Sequence, residues 1–326
     1  MLDELKGTSC GVLLIAEIGS NHNGDLDTAL RLIDVAAESG ADVCKFQSFL
    51  VDDLLAEDDP NYDRLSRLQL PREWYPVLMK RCRERDVRFL STATNEKTLD
   101  WMEEDSAWGY KVASCNITHV PLLHRLADIG KPLIISTGMA ELQDVLDTRR
   151  LLLEAGHDRH VFLHCVSKYP APAEEMRLRN ISVLGEVLGC DVGLSDHSHG
   201  THVAVASVAL GARVVEKHIS LDRSGIGMDH EVAVLPDEFA SLCRDVRAIE
   251  KALTADFRPD KETLYAMRRS LHFARDVVAG ERLRPEDIKV VRPEDGLPPK
   301  YFDSLLGKIA ARDLKQRTPI NLDCFL

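Results

Sequence analysis

Short apolar runs rich in β-branched residues alternate along the chain with longer stretches whose apolar positions recur at helical spacing. The runs predict strands near Val12–Glu17, Asp42–Gln47, Val87–Ser91, Tyr110–Ala113, Leu133–Ser136, Val161–Cys165, Asp191–Ser195 and Arg213–His218. Helices are predicted at Asp25–Ser39, where Leu26, Ala29, Leu32, Ile33 and Ala36 form one stripe, and at Leu122–Ile129, Leu142–Glu154 and Thr201–Leu210. Pro236–Leu253 reads as a last helix, with Pro236 suited to a first helical position. Strands that alternate with helices imply parallel pairing. Eight such units imply an α/β fold, a (β/α)8 TIM barrel.

The pattern changes near residue 255. Residues 1–255 carry the alternation, 256–267 read as a linker, and 268–326 hold short β-type runs broken by Gly and Pro. Arg292–Pro299 alone contains Pro293, Gly296, Pro298 and Pro299. So small a β-rich domain is marginal when free. It is expected to pack on another surface.

Composition narrows the function classes. Lys and Arg number 41 against 53 Asp and Glu, a net charge of −12 over 326 residues. That argues against a broad surface tracking nucleic-acid phosphates, while a few lysines in a cleft still suffice for a small anion. No apolar run approaches the ~20 residues of a membrane span. Eight scattered cysteines without a CxxC pair, after an N-terminus that lacks a secretory pattern, lead us to expect a cytoplasmic protein with reduced thiols.

Barrel enzymes carry their chemistry at the C-terminal ends of strands. Here those ends read Glu17 to Gly24, Lys45-Phe-Gln47, Lys111 to Asn116, Ser136-Thr-Gly138, His164 to Pro170, Ser195-Asp-His197 and Glu216-Lys-His218. Only the third, Ser91-Thr-Ala93, is bland. His197 and His218 end adjacent strands and are within reach of one ion; the alternative for each is a hydrogen-bonded core histidine. His199 and His202 lie just beyond and are weaker candidates. Two histidines with positions open to water or substrate suit a Lewis-acidic Mn²⁺ or Mg²⁺. Lys45 and Lys111, with the hydroxyls of Ser114, Ser136 and Ser195, resemble an anion pocket. The alternative is that these lysines pair with core carboxylates such as Glu17. Glu17 and Asp229 are candidate proton-handling groups, although Asp229 also reads as a solvated loop residue.

Several segments closely resemble the sialic acid synthase family. They are Ala16–Asp25 (AEIGSNHNGD), Gly40–Gln47 (GADVCKFQ), Lys111–Ser114 (KVAS), Gly130–Met139 (GKPLIISTGM), His164–Pro172 (HCVSKYPAP), Gly193–His197 (GLSDH) and Gly211–His218 (GARVVEKH). The tail resembles the family's antifreeze-like (SAF) domain in Arg268–Ser270, Ala279–Glu281, Val291–Pro293 and Gly307–Asp313. The resemblance implies condensation of phosphoenolpyruvate with an open-chain N-acetylated aminosugar, giving a nine-carbon 2-keto acid and phosphate. It implies His197 and His218 as metal ligands, and Lys45, Lys111, Ser114, Ser136 and Ser195 as phosphoenolpyruvate contacts. It also implies Glu17 beside the reacting carbons as the catalytic carboxylate, joined there by Tyr169 and Asp229. Gln47, Asn116, Tyr169 and Asp229 are implied around the sugar. Arg292 matches an arginine that the tail places over a partner's active site, which implies a domain-swapped homodimer.

The chain departs from the family pattern at three places. Asn116 stands where an acidic residue is usual, Thr92-Ala-Thr-Asn95 replaces Thr-Pro-Phe-Asp, and Gly227-Met-Asp229 replaces Gly-Pro-Asp. The first two bear on which sugar is held, among N-acetylmannosamine, diacetamido-trideoxy hexoses and the substrates of spore-coat polysaccharide assembly. Two rival readings stand beside this one: a metal-dependent pyruvate aldolase, and a non-catalytic polysaccharide-assembly protein.

Overall fold

The computed structural model describes residues 11–225, 227–253 and 259–326. It divides into two compact units at Leu253/Thr254. In the first, eight parallel strands close into a barrel in sequence order: β1 (Leu13–Gly19), β2 (Val43–Ser48), β3 (Arg88–Ala93), β4 (Tyr110–Val112), β5 (Leu133–Ser136), β6 (His160–Cys165), β7 (Val192–Asp196) and β8 (Val214–His218). Each lies within a few residues of its expected place. The expected TIM barrel is the fold.

The helical shell comprises α1 (Leu26–Ser39), α2 (Tyr62–Ser66), α3 (Trp74–Glu84), α4 (Glu96–Glu104), α5 (Val120–Ile129), α6 (Leu142–Glu154), α7 (Arg179–Leu188), α8 (His202–Ala209), α9 (Asp229–Val232) and α10 (Pro236–Ala252). Helix α1 starts where the Asp25 side chain accepts the Thr28 N–H and ends at Gly40 in the left-handed conformation, as caps require. It buries Ala29, Leu32, Ile33 and Ala36, the stripe legible in the sequence.

Successive side chains on a strand face opposite sides, and this alternation builds the site. Leu13, Ile15, Val43, Leu90, Ile134, Val161, Leu163 and Val214 form one buried cluster, distinct from the larger cluster that includes the shell helices. These are the inward positions, and they fill the lower barrel. Continuing each inward row toward the C-terminal end gives Glu17 on β1, Lys45 and Gln47 on β2, Ser136 on β5, and Glu216 and His218 on β8. An apolar plug thus carries a polar floor. The intervening residues face the helices. Lys217 pairs with Asp196 at 3.0 Å, both side chains wholly buried. That pair braces the shell, and losing one partner would cost about 3–5 kcal/mol.

The second unit contains α11 (Lys261–Met267), an antiparallel pair β9 (Ser270–Phe273) and β10 (Ile288–Val291), and α12 (Phe302–Leu305). Its core centres on Leu271, Phe273, Val277, Leu283 and Ile320. Residues 261–267, read above as linker, are helical because Asp260 caps them at the Thr263 N–H. Residues 256–258 of that linker lie outside the described residues. Among the described residues no helix is long and apolar enough to cross a membrane.

Candidate active site

Strand register sets the centre of the site. Glu17 lies level with Lys45 on one side and with His218 on the other, and Ser195 lies level with Glu216. Lys45 Nζ is 2.8 Å from Glu17 Oε2 and 3.8 Å from Glu216 Oε1, with all three side chains buried. Ser195 Oγ donates to Glu216 Oε1 at 2.9 Å. Gln47 Nε2 donates to Glu17 Oε1 at 2.9 Å and reaches Asp229 Oδ2 at 3.5 Å. Ser20 Oγ donates to the same Asp229 oxygen at 3.2 Å.

The two central carboxylates are pushed apart. Burial, helped by Glu216, raises Glu17 to about 7 against the pull of Lys45. Burial also opposes the charge on Glu216, but Lys111, Lys45 and the Ser195 hydroxyl outweigh it and hold that group down at about 2. One carboxylate therefore exchanges a proton near neutrality while the other stays charged. Asp229 is held low: burial is outweighed by His218 and the Ser20 hydrogen bonds.

The two lysines differ. Lys45 is committed to Glu17, the pairing weighed in the sequence as the alternative to an anion contact. Burial would depress it, yet Glu17 and Glu216 raise it. Lys111 donates to Ser136 Oγ at 2.6 Å and to the Val112 carbonyl at 3.2 Å, which leaves one of its three protons uncommitted. Burial lowers its pKa. Beside it, the Gly138 N–H donates to Ser114 Oγ at 3.0 Å. A Cβ at Gly138 would fall 2.5 Å from Ser167 Oγ, 3.0 Å from Cys165 Sγ and 3.1 Å from Ser114 Oγ. The missing side chain leaves a small polar cradle.

His197 and His218 face each other with ring centres 5.4 Å apart, and Tyr169 lies over His197 at 4.2 Å. His197 Nδ1 donates to the Val166 carbonyl at 2.9 Å, which fixes the tautomer and leaves Nε2 a lone pair. His218 Nδ1 is buried without a hydrogen-bond partner, 3.9 Å from Asp229 Oδ2. An oriented imidazole beside an orphaned buried nitrogen fits a divalent cation. Among the described residues no third His, Cys, Asp or Glu completes a three-ligand group, so further positions would fall to water or substrate. His199 and His202 are exposed.

The structure thus gathers Glu17, Lys45, Gln47, Asp229, His218, His197 and Tyr169 at one end of the barrel, with Lys111, Ser114, Ser136 and Ser195 in the linked hydrogen-bond sets. Asn116 is half-buried on the turn after β4, its N–H bonded to the Ala113 carbonyl at 2.9 Å. Arg292 is exposed at the end of β10 in the second unit. Asn95 caps α4 by accepting the Thr98 N–H at 2.8 Å, and it also binds Asp53. The change from the family's Asp is therefore absorbed structurally, since Asn and Asp cap equally well. Glu216 belongs to the same buried network, and the sequence alone left it unassigned. Its signal was the alternation on β8, which turns Glu216 inward with His218 and Lys217 outward.

Gly19 closes the arrangement. Its φ is +52°, and a Cβ there would sit 2.7 Å from Asp229 Oδ2, 3.0 Å from Gln47 Nε2 and 3.1 Å from Glu17 Oε1. Gly19→Ala is expected to destabilise by about 1–3 kcal/mol and to displace all three groups. Thermal denaturation alongside steady-state kinetics checks this; an unchanged melting temperature with full activity would refute it.

Comparison with known proteins settles the family. Residues 32–257 match the NeuB family and residues 268–326 match the SAF domain. The chain belongs to the NeuB family. It is 34% identical over 324 residues to an N,N'-diacetyllegionaminic acid synthase of Campylobacter jejuni, covering 93% of this chain and 97% of that protein. It is 33% identical over 323 residues to a pseudaminic acid synthase of the same organism, covering 93% and 94%. The structure of an N-acetylneuraminic acid synthetase from Leptospira borgpetersenii in complex with citrate superposes with a TM-score of 0.75 at 30% identity, covering 78% of this chain and 89% of that one. As a NeuB protein with such relatives, the chain is an enzyme, a transferase that forms carbon–carbon bonds.

Proposed function

We propose that this NeuB enzyme condenses phosphoenolpyruvate with an open-chain N-acetylated aminosugar, N-acetylmannosamine or a diacetamido-trideoxy hexose, to give a nine-carbon 2-keto acid and phosphate. The observation that carries the reading is the split pair of buried carboxylates, Glu17 near neutrality and Glu216 ionised, set beside Lys111 and the Gly138 cradle. A purely structural barrel has no use for that arrangement.

Lys111, Ser114, Ser136 and Ser195 hold the phosphate and carboxylate of phosphoenolpyruvate, with Lys45 adding charge from its place between the two carboxylates. Gln47, Asn116, Tyr169 and Asp229 line the sugar. The tail domain of a second subunit contributes Arg292 in a homodimer. His197 and His218 hold a divalent metal, Mn²⁺ or Mg²⁺, which when bound supplies Lewis-acid polarisation of an aldehyde oxygen.

The methylene carbon of phosphoenolpyruvate bonds to the aldehyde carbon, and the aldehyde oxygen takes a proton from solvent to become a hydroxyl. Water adds at C2 and gives a proton to Glu17, which Gln47 and Lys45 hold in place. The C2–O bond to phosphate then breaks with its electron pair going to the phosphate oxygen, the new C2 hydroxyl gives its proton to the leaving phosphate as the ketone forms, and Glu17 returns its proton to solvent. Glu216 stays ionised throughout and neutralises the lysines.

Phosphate release tests the reading. The full-length enzyme, stripped of metal and resupplied with Mn²⁺, is expected to release phosphate only when phosphoenolpyruvate, metal and one of the aminosugars are all present. Folded dimeric enzyme that releases none with either class of sugar would contradict it.

A further inference from the structure

The second unit carries a polar cluster that the reaction described above does not use, two buried side chains gripping the exposed Asp295. Ser270 on β9 is fully buried, and His272 two residues on is 5% exposed. Ser270 Oγ lies 2.6 Å from the Pro293 carbonyl, 3.2 Å from Asp295 Oδ1 and 3.0 Å from His272 Nε2. His272 Nε2 lies 2.9 Å from the same Asp295 oxygen. On its other side, His272 Nδ1 donates to the Arg317 carbonyl at 3.0 Å. One strand thus grips the backbone at Pro293 and the side chain at Asp295, while Arg317 anchors the ring from behind.

The gripped segment begins at Arg292. Register places Val291 opposite Ser270, so Arg292 is the first residue beyond the paired ladder. Its side chain is exposed, and no described residue pairs with it. An exposed loop can otherwise be left loose at little cost. Two buried polar side chains committed to its backbone and to Asp295 imply instead that its conformation matters, because buried polar groups cost free energy unless they are satisfied.

We propose that the Ser270–His272–Asp295 cluster is a clasp that presets the loop bearing Arg292, making His272 a positioning residue for sugar recognition by the tail domain. The functional half of this inference rests on the role of Arg292 under Proposed function. The clasp acts through Arg292 and touches no substrate. Losing it loosens the turn between Pro293 and Gly296, whose flanks stay tied through the Glu294 N–H to the Tyr265 carbonyl at 2.9 Å and the Leu297 N–H to the Ile320 carbonyl at 2.7 Å, and taxes only the step in which Arg292 engages the aminosugar. Small displacements of a positioning group cost up to about 100-fold.

The test uses the full-length enzyme with Arg292→Ala, His272→Ala, Ser270→Ala, His272→Gln and the double variant His272→Ala/Arg292→Ala. Steady-state kinetics would be read with amide hydrogen exchange over residues 294–297. His272→Ala and Ser270→Ala are expected to speed exchange there and to raise the aminosugar KM about 10–100-fold, leaving the phosphoenolpyruvate KM unchanged. His272→Gln keeps a donor toward Asp295 and is expected to recover most of the loss. The double variant is expected to be no worse than Arg292→Ala, since both act on one contact. Unchanged exchange in both His272→Ala and Ser270→Ala overturns the clasp itself. A raised sugar KM in Arg292→Ala with none in His272→Ala overturns the positioning role. An unaffected sugar KM in Arg292→Ala overturns the assigned role of Arg292, and with it the functional half of the inference, while exchange still decides whether the clasp holds the loop.

Discussion

Glu17→Gln is expected to fold normally and to lose about 10²–10⁴-fold in kcat, the usual contribution of a positioned general base. The amide keeps the size of the side chain and can still meet Gln47, but it cannot accept the proton from water. The wild-type enzyme is expected to show an acidic limb: kcat rises with pH through about 7, where Glu17 ionises, and then levels. Glu17→Gln abolishes that limb along with the rate. Stability carries a matching signature. A carboxyl raised from 4.5 to about 7 contributes stability that is complete below 4.5 and is lost as pH rises through 7. The variant is always neutral at this position, so its stability is expected to vary less over that window. Wild-type kcat in Glu17→Gln, with the acidic limb intact, would remove Glu17 from the chemistry.

Lys111→Met is expected to raise the KM for phosphoenolpyruvate about 10–100-fold, the worth of one or two charge-assisted hydrogen bonds to phosphate. Methionine preserves the length of the buried stem and removes only the ammonium. The aminosugar KM is expected to change little. Lys45→Met should behave differently, because Lys45 Nζ sits 2.8 Å from Glu17. Without that cation the Glu17 carboxyl rises further, so the acidic limb moves to higher pH and kcat near neutrality falls. Steady-state kinetics of both variants across pH separates the roles. The reverse assignment, with Lys45→Met affecting only phosphoenolpyruvate binding and Lys111→Met shifting the limb, would refute the division drawn from their hydrogen bonds.

The barrel was legible because its strands are continuous apolar runs buried on both faces, as parallel strands are. Helices with a clean stripe, such as Leu26–Ser39, were legible because their apolar residues recur at helical spacing on the one buried face. Trp74–Glu84 was not. Pro76 reads as a breaker although it lies in the first turn, where it is tolerated, and arginines dilute the buried set of Tyr75, Leu78, Met79 and Cys82. Glu96–Glu104 buries only Thr98, Leu99 and Met102, too short a stripe to stand out.

The site was partly legible. Clustered polar residues at strand ends pointed to the end of the barrel where the structure gathers Glu17, Lys45, His197 and His218, and the two histidines end neighbouring strands. Which lysine pairs with which carboxylate depends on register between neighbouring strands: Glu17 level with Lys45 and Ser195 level with Glu216. No local pattern carries that information. Asp229 illustrates the other limit. As a loop residue after Gly227 and Met228 it looked solvated, and only the returning chain packs it against Ser20, Gln47 and His218.

The most direct test of the central claim follows the oxygen that bridges C2 and phosphorus in phosphoenolpyruvate. If water adds at C2 and phosphate leaves by C–O cleavage, phosphoenolpyruvate labelled with ¹⁸O at that position delivers the label to the released phosphate, and the keto oxygen of the sugar acid comes from solvent. Label retained in the keto acid, with unlabelled phosphate, would mean P–O cleavage and would contradict the water-addition role assigned to Glu17 and its neighbours.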